Sequence, residues 1–134
     1  ASDVYKRQKK DSRVKAVISL DAVEHNFREM RKNIAEETKM IAVIKADAYG
    51  HGAVPVAHLI EDYDYIWGFA VATPEEALQL RTFGVKKPIL ILGIVFEEYY
   101  TEMIAKEIRL TVCTYEMAQE LSEEAKRQDV KMSF

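Results

Sequence analysis

One cysteine, Cys113, stands in the 134 residues. An internal disulfide framework is therefore excluded, and a lone thiol fits a reducing, cytoplasmic setting. Long apolar runs are missing too. None approaches the roughly 20 residues that a helix needs to cross a bilayer. No basic, apolar, small-residue leader opens the chain. Charge is not of one sign: 19 Lys and Arg face 22 Asp and Glu, a net charge of -3. That gives no basic footprint for nucleic acid and no polybasic patch for a membrane surface. There is no P-loop or dinucleotide fingerprint, because Gly50-His51-Gly52 lacks a third glycine. His25, His51 and His58 form no spaced ligand pair with a cysteine or carboxylate, so a zinc site is unsupported.

What is present is globular material. Hydrophobic residues make up 49% and charged residues 31%, which separates the chain from disordered sequences. Residues Ala1–Arg13 are polar, basic and without periodicity, and are set aside as a disordered or extraneous lead. The fold is expected from residues 14–134.

Over that span the chain alternates. Short apolar, β-branched runs occur at Ala16–Leu20, Met40–Ala46, Ile66–Ala72, Pro88–Leu92, Arg109–Cys113 and Val130–Phe134. Their continuity suits buried parallel strands covered on both faces. Helical patterns lie between them. Asp21 with Glu24 suggests a box-like helix start, followed by a stripe of Val23, Phe27, Met30 and Ile34. Thr73-Pro74-Glu75-Glu76 gives a cap, a first-turn proline and an acid three residues after the cap. Gly84 then stands where a left-handed residue ends a helix. Thr114 caps a last helix carrying Ala118, Leu121 and Ala125. Val54–Glu61 and Glu97–Lys106 are also read as helical, with Pro55 in a first turn.

Strand starts at 40, 66, 88, 109 and 130 lie 26, 22, 21 and 21 positions apart. Repeated βα units of this length imply a parallel sheet. An open doubly wound sheet and part of a (β/α)8 barrel both satisfy that pattern. A full barrel needs roughly 200 residues or more. Four units and the opening of a fifth strand would be about half of one, with the chain stopping in mid-strand as a truncated domain does. The run Ala16–Leu20 and its helix precede the regular units, and that strand can belong to a different sheet.

The chemistry concentrates in Ala42-Val43-Ile44-Lys45-Ala46-Asp47-Ala48-Tyr49-Gly50-His51-Gly52. Lys45 falls at the C-terminal end of its strand, the face on which parallel barrels build active sites. Apolar Ile44 and Ala46 flank it. Desolvation lowers a lysine pKa, and a neutral amine is the nucleophile that an aldehyde requires. Tyr49 can offer its hydroxyl to a phosphate near a helix N-terminus. Gly50 and Gly52 permit positive φ and close approach of backbone to a ligand. Each residue also has a plainer role. A lysine at a strand end is ordinarily solvated, the glycines can simply turn the chain, Tyr49 can pack, and His51 can bond a loop carbonyl. Tyr63, Tyr65 and Trp67 read as packing at a strand start. Tyr99, Tyr100 and Met103 read as a helix face, and Glu116–Glu124 as a solvated helix surface.

The stretch Val43–Gly52 resembles, position by position, the pyridoxal-phosphate attachment signature of alanine racemases. Other segments agree in order: Leu20-Asp21-Ala22-Val23 with Asn26, Gly68–Ala72 with Glu75–Leu78, Pro88–Gly93, and Leu110-Thr111-Val112. The likeness runs from about Val14 to Phe134. The decapeptide is its specific part. The resemblance implies an α/β fold, the N-terminal portion of a (β/α)8 barrel that a β-rich domain follows. It implies pyridoxal 5'-phosphate as cofactor and a head-to-tail homodimer. Lys45 would be the Schiff-base lysine and one of two opposed bases, serving the D-alanine face; Tyr49 would bind the cofactor phosphate. The family's tyrosine base, the arginine facing the pyridine nitrogen and most phosphate ligands belong to segments later than Phe134. This length of chain alone is therefore expected to be inactive.

The reading that follows is a segment of a racemase that interconverts L- and D-alanine, supplying D-alanine for peptidoglycan. Beside the plainest reading, a half barrel that folds poorly and has no activity, three others compete with it. One is a racemase of the same architecture acting on another amino acid. A second is a non-enzymatic pyridoxal-phosphate carrier on a single barrel, which has a different sequence around its lysine. The third is an open-sheet α/β domain unrelated to this cofactor.

Overall fold

A computed structural model describes residues 14–131. Helix α1 (Leu20–Arg31) comes first, then strand β1 (Met40–Val43), a short segment α2 (Lys45–Tyr49) and helix α3 (Ala53–Ile60). Strand β2 (Ile66–Val71), helix α4 (Pro74–Thr82), strand β3 (Ile89–Ile91), a 3-10 turn (Glu97–Tyr99), helix α5 (Tyr100–Ala105), strand β4 (Ile108–Leu110) and helix α6 (Tyr115–Arg127) complete the order. The strands form one sheet in the order β1-β2-β3-β4, and every pairing is parallel. Each strand is followed by at least one helix. Between Met40 and Arg127 the alternation read from the sequence is the alternation of the fold.

Registers across the sheet sort the side chains. Ala42, Phe69, Ile89 and Ile108 stand in one row, and Val71, Ile91 and Leu110 in another. All seven are buried, and they join Ile60, Leu80, Met103 and Leu121 from the helices in a single core. On the opposite face Val43, Ala70, Leu90 and Arg109 form a row. There Ile41 and Val43 are 44% and 45% exposed, and Leu90 and Arg109 are half-buried. The strands were expected to be covered on both faces. Among the described residues helices cover one; the other is the face that lines the interior when a βα repeat closes into a barrel. Arg109 lies over the Trp67 ring, 4.8 Å from its centroid. Trp67 thus packs, as expected, but against a cation.

Local signals account for most boundaries. Thr73 and Thr114 cap α4 and α6, accepting from Glu76 N and Met117 N. Pro55 lies in the first turn of α3. Gly84 takes φ 86 after α4, as the sequence requires. The same left-handed position after α5 and α6 is held by Glu107 (φ 52) and Asp129 (φ 54), which lack a glycine's signal. Arg81 ties this base of the sheet together by donating to the carbonyls of Val85, Lys87, Lys106 and Glu107. Lys87 does likewise for Tyr63 and Ile66, and burial lowers the pKa of its ammonium.

Four expectations need correction. Ala16–Leu20 is not a strand: residues 14–19 are irregular, Val17 is 79% exposed, and no strand pairs with them among the described residues. An apolar run without a partner strand has no ladder to join. The cap of α1 is Ser19, whose hydroxyl accepts from Ala22 N, so Asp21 sits inside the first turn and Ile34 beyond the end. The fourth strand is Ile108–Leu110, ahead of the expected Arg109–Cys113, because Thr111 donates its hydroxyl to Ile91 O as the ladder ends. Glu124 is buried, not solvated; it accepts from Gln128 and pairs with Arg127. The strand expected over Val130–Phe134 falls largely outside the described residues; Val130 and Lys131 are not in a strand. The lead Ala1–Arg13 lies wholly outside them. No helix among the described residues is long and apolar enough to cross a membrane.

Candidate functional site

The strand that carries Lys45 stops sooner than Met40–Ala46. Its last ladder bond is Ile44 N to Ala70 O, at 2.9 Å. The chain then winds the other way. Ala46, Asp47 and Ala48 have φ/ψ near +50°/+46°, and Tyr49 has φ 55. These are four consecutive left-handed residues without a glycine. Ala48 N donates to Ile44 O at 2.9 Å and Gly50 N to Ala46 O at 3.1 Å, so the turn is helical in its bonding and left-handed in its sense. Gly50 (φ 86) and Gly52 (φ 94) then return the chain to α3, the positive φ that the sequence reading assigned to them.

Left-handed winding costs an L-residue roughly 1–2 kcal/mol each, so this turn needs outside support. Two carboxylates supply it. Asp47 Oδ1 accepts from Ala53 N at 2.7 Å, satisfying a donor in the first turn of α3. Glu76 Oε1, from the first turn of α4, accepts from Ala46 N at 2.7 Å. His51 Nδ1 lies 3.0 Å from Ala48 O, the plain role foreseen for it. Ala48 and Ile44 are buried in the core, anchoring the turn from beneath.

This winding puts Lys45 and Tyr49 together. Lys45 is half-buried, and its Nζ lies 6.0 Å from the centroid of the Tyr49 ring. Tyr49 is 63% exposed, so it does not pack into the core. Of the two apolar neighbours in sequence, Ile44 is buried and Ala46 is exposed. The end of the sheet that holds Lys45 also carries exposed Leu92, Ile94 and Phe96 after β3. Nearby, Glu75 accepts from the Tyr99 hydroxyl at 2.8 Å. Its carboxyl is held below the usual carboxylate range, first by its own backbone N–H, then by the Thr73 and Tyr99 hydroxyls.

Sequence reasoning singled out Lys45 and Tyr49, and the structure brings them together. It missed Glu76 and Asp47 as supports of the turn. The available signals were the Thr-Pro-Glu-Glu run and an Asp six residues before a helix start, and neither points across the sheet.

The donor set has a definite chemistry. It offers a primary amine and a phenol at one strand end, with apolar side chains exposed beside them. An aldehyde that also carries a phosphate group fits it: the amine for the aldehyde, the phenolic O–H for the phosphate. Fold and turn together define a parallel βα segment with a lysine and a tyrosine at its strand C-termini, the end at which parallel barrels build active sites.

Comparison with known proteins narrows that class. A family model described as alanine racemase, N-terminal domain, matches residues 18–134. The chain belongs to the alanine racemase family. It is 44% identical over 114 residues to alanine racemase 1 of Caldanaerobacter subterraneus subsp. tengcongensis, covering 84% of this chain and 29% of that protein. A solved alanine racemase from Clostridium difficile 630 superposes with a TM-score of 0.83 at 40% identity, over 86% of this chain and 30% of that one. A histidine racemase from Leuconostoc mesenteroides subsp. sake superposes with a TM-score of 0.75 at 29% identity, over 86% and 30%. The chain thus spans under a third of the length of these relatives. Its sheet corresponds to the N-terminal barrel portion of the family, which settles the choice between open sheet and barrel.

Proposed function

We propose that the protein to which this chain contributes is a cytoplasmic, pyridoxal-phosphate-dependent isomerase that interconverts L- and D-alanine as a homodimer. Residues 14–134 are read as the opening portion of its barrel domain. The observation that carries the proposal is the left-handed turn, which places Lys45 at a strand C-terminus beside Tyr49 within the sequence Lys-Ala-Asp-Ala-Tyr-Gly-His-Gly. Membership of the alanine racemase family supports it.

In this reading Lys45 Nζ would hold the cofactor's aldehyde carbon, and the Tyr49 hydroxyl would donate to its phosphate. When bound, pyridoxal phosphate supplies an electron sink that stabilises negative charge at the substrate Cα. Lys45, freed when the substrate's own amino group takes its place on the aldehyde carbon, would be the amine that moves a proton at Cα on the D-alanine side. Ile44 and Ala48, buried in the core, anchor the turn from below. The opposing base would come from a later segment of the partner subunit.

A second reading has its own observation. The histidine racemase superposes well, so the architecture accepts a different amino acid. Its identity of 29%, against 40% for the Clostridium difficile alanine racemase over the same share of this chain, favours alanine. The test is a racemisation assay on the full-length gene product with L-alanine, L-serine and L-histidine. The proposal expects alanine to be the preferred substrate and Lys45→Ala to leave no measurable turnover. Preference for another amino acid, or wild-type turnover by Lys45→Ala, would contradict it.

A further inference from the structure

Glu76 does something that its place in the sequence does not announce. It lies at the third position of α4, where a capping-box acid turns back to the N–H of the cap residue. Here the cap Thr73 accepts from Glu76 N at 3.4 Å, but the carboxylate is engaged elsewhere. Oε2 accepts from Ala72 N, just past β2, at 2.7 Å. Oε1 accepts from Ala46 N, thirty residues earlier in the chain, at 2.7 Å. One carboxylate therefore joins the ends of two neighbouring strands, and the donor it holds on β1's side belongs to the peptide linking Lys45 to Ala46.

That peptide matters. Its orientation fixes ψ of Lys45, and with it how the turn and Tyr49 that follow stand relative to the lysine side chain. It is also where the left-handed winding begins, since Ala46 is the first residue with positive φ. A charge-assisted hydrogen bond at this peptide is worth more than a neutral one, and it acts at the residue where the backbone is least favourable.

We infer that Glu76 is a positioning residue: it sets the Lys45–Ala46 peptide so that the Lys45 amine is presented for cofactor capture. The inference rests on the reading of Lys45 given above. Both neighbours of the carboxylate are N–H donors, so both of its oxygens must accept. An ionised carboxylate does this, whereas a glutamine amide turns a donor toward one of them. Shape alone would tolerate the glutamine.

The experiment uses the full-length gene product, freed of cofactor and then exposed to pyridoxal phosphate. Affinity is read by absorbance titration. The rate of capture is read by timed borohydride reduction and mass-spectrometric quantitation of the label on the Lys45 peptide. Glu76→Gln is expected to weaken capture roughly tenfold to a hundredfold, the scale of a lost hydrogen bond to a charged group. Glu76→Asp, which keeps two acceptors on a shorter stem, is expected to recover part of it. Thr73→Ala removes the hydroxyl cap of the same helix without touching Ala46. It is expected to lower Tm while capture stays at the wild-type level. Glu76→Gln capturing like wild type overturns the inference while leaving the role of Lys45 intact. Capture falling in step with Tm across all three variants also overturns it, because Glu76 would then be a helix cap only. A wild-type protein that does not capture the cofactor at Lys45 overturns both the inference and the reading beneath it.

Discussion

The sheet with its helices and the turn at Lys45 are built on opposite terms. In the βα body the backbone follows local preference. Left-handed residues occur there one at a time, at Gly84, Glu107 and Asp129, each just past the end of a helix. The turn has four in succession, none of them glycine, and is held by carboxylates brought from residue 47 and from α4. Apolar burial stabilises the body through Phe69, Leu80, Ile91 and Leu121. The turn exposes Ala46, Asp47 and Tyr49 and is stabilised by hydrogen bonds to its backbone. Strain of this kind persists only where the surroundings over-determine it, and it concentrates at functional sites.

The largest expected effect breaks the body. Phe69 is fully buried at the centre of the sheet, paired with Ala42 and Ile89. Phe69→Ala should lower the unfolding free energy by about 3–5 kcal/mol, measured by denaturant titration with an unchanged slope. A loss under about 1 kcal/mol would mean that the sheet is not where the core lies.

A smaller effect sharpens the contrast by making one substitution in both regions. Ala118 lies inside α6, where glycine costs about 1 kcal/mol relative to alanine. Ala46 lies in the left-handed turn and is exposed. There glycine relieves about 1–2 kcal/mol of backbone strain and concedes about 0.4–1 kcal/mol in freedom of the unfolded chain. Ala118→Gly should lower Tm and Ala46→Gly should raise it slightly. A fall at both positions would show that the turn is not left-handed in solution.

The same contrast explains what could be read from the sequence. Spacing revealed the βα repeat, because apolar runs starting at 40, 66, 88 and 109 recur with helical patterns between them. Caps at Thr73 and Thr114 were legible because side chain and partner lie three residues apart. Gly84 was legible because glycine advertises positive φ; Glu107 and Asp129 adopt the same conformation without advertising it. Ala16–Leu20 misled because a β-branched run says nothing about whether a partner strand exists. At the site, Lys45 and Tyr49 could be picked out from a specific motif. The winding that joins them could not, since alanine and tyrosine have no left-handed preference. It is held in part by Glu76, thirty positions away, and no local pattern encodes a hydrogen bond across that distance.

The most direct test of the central claim is to ask which lysine pyridoxal phosphate labels. The protein is loaded with pyridoxal phosphate, reduced with borohydride, digested, and its modified peptide mapped by mass spectrometry. The left-handed turn predicts a single label on Lys45 that disappears in Lys45→Ala. Label spread over several surface lysines, or fixed on a different one, would contradict the claim that this turn exists to present Lys45.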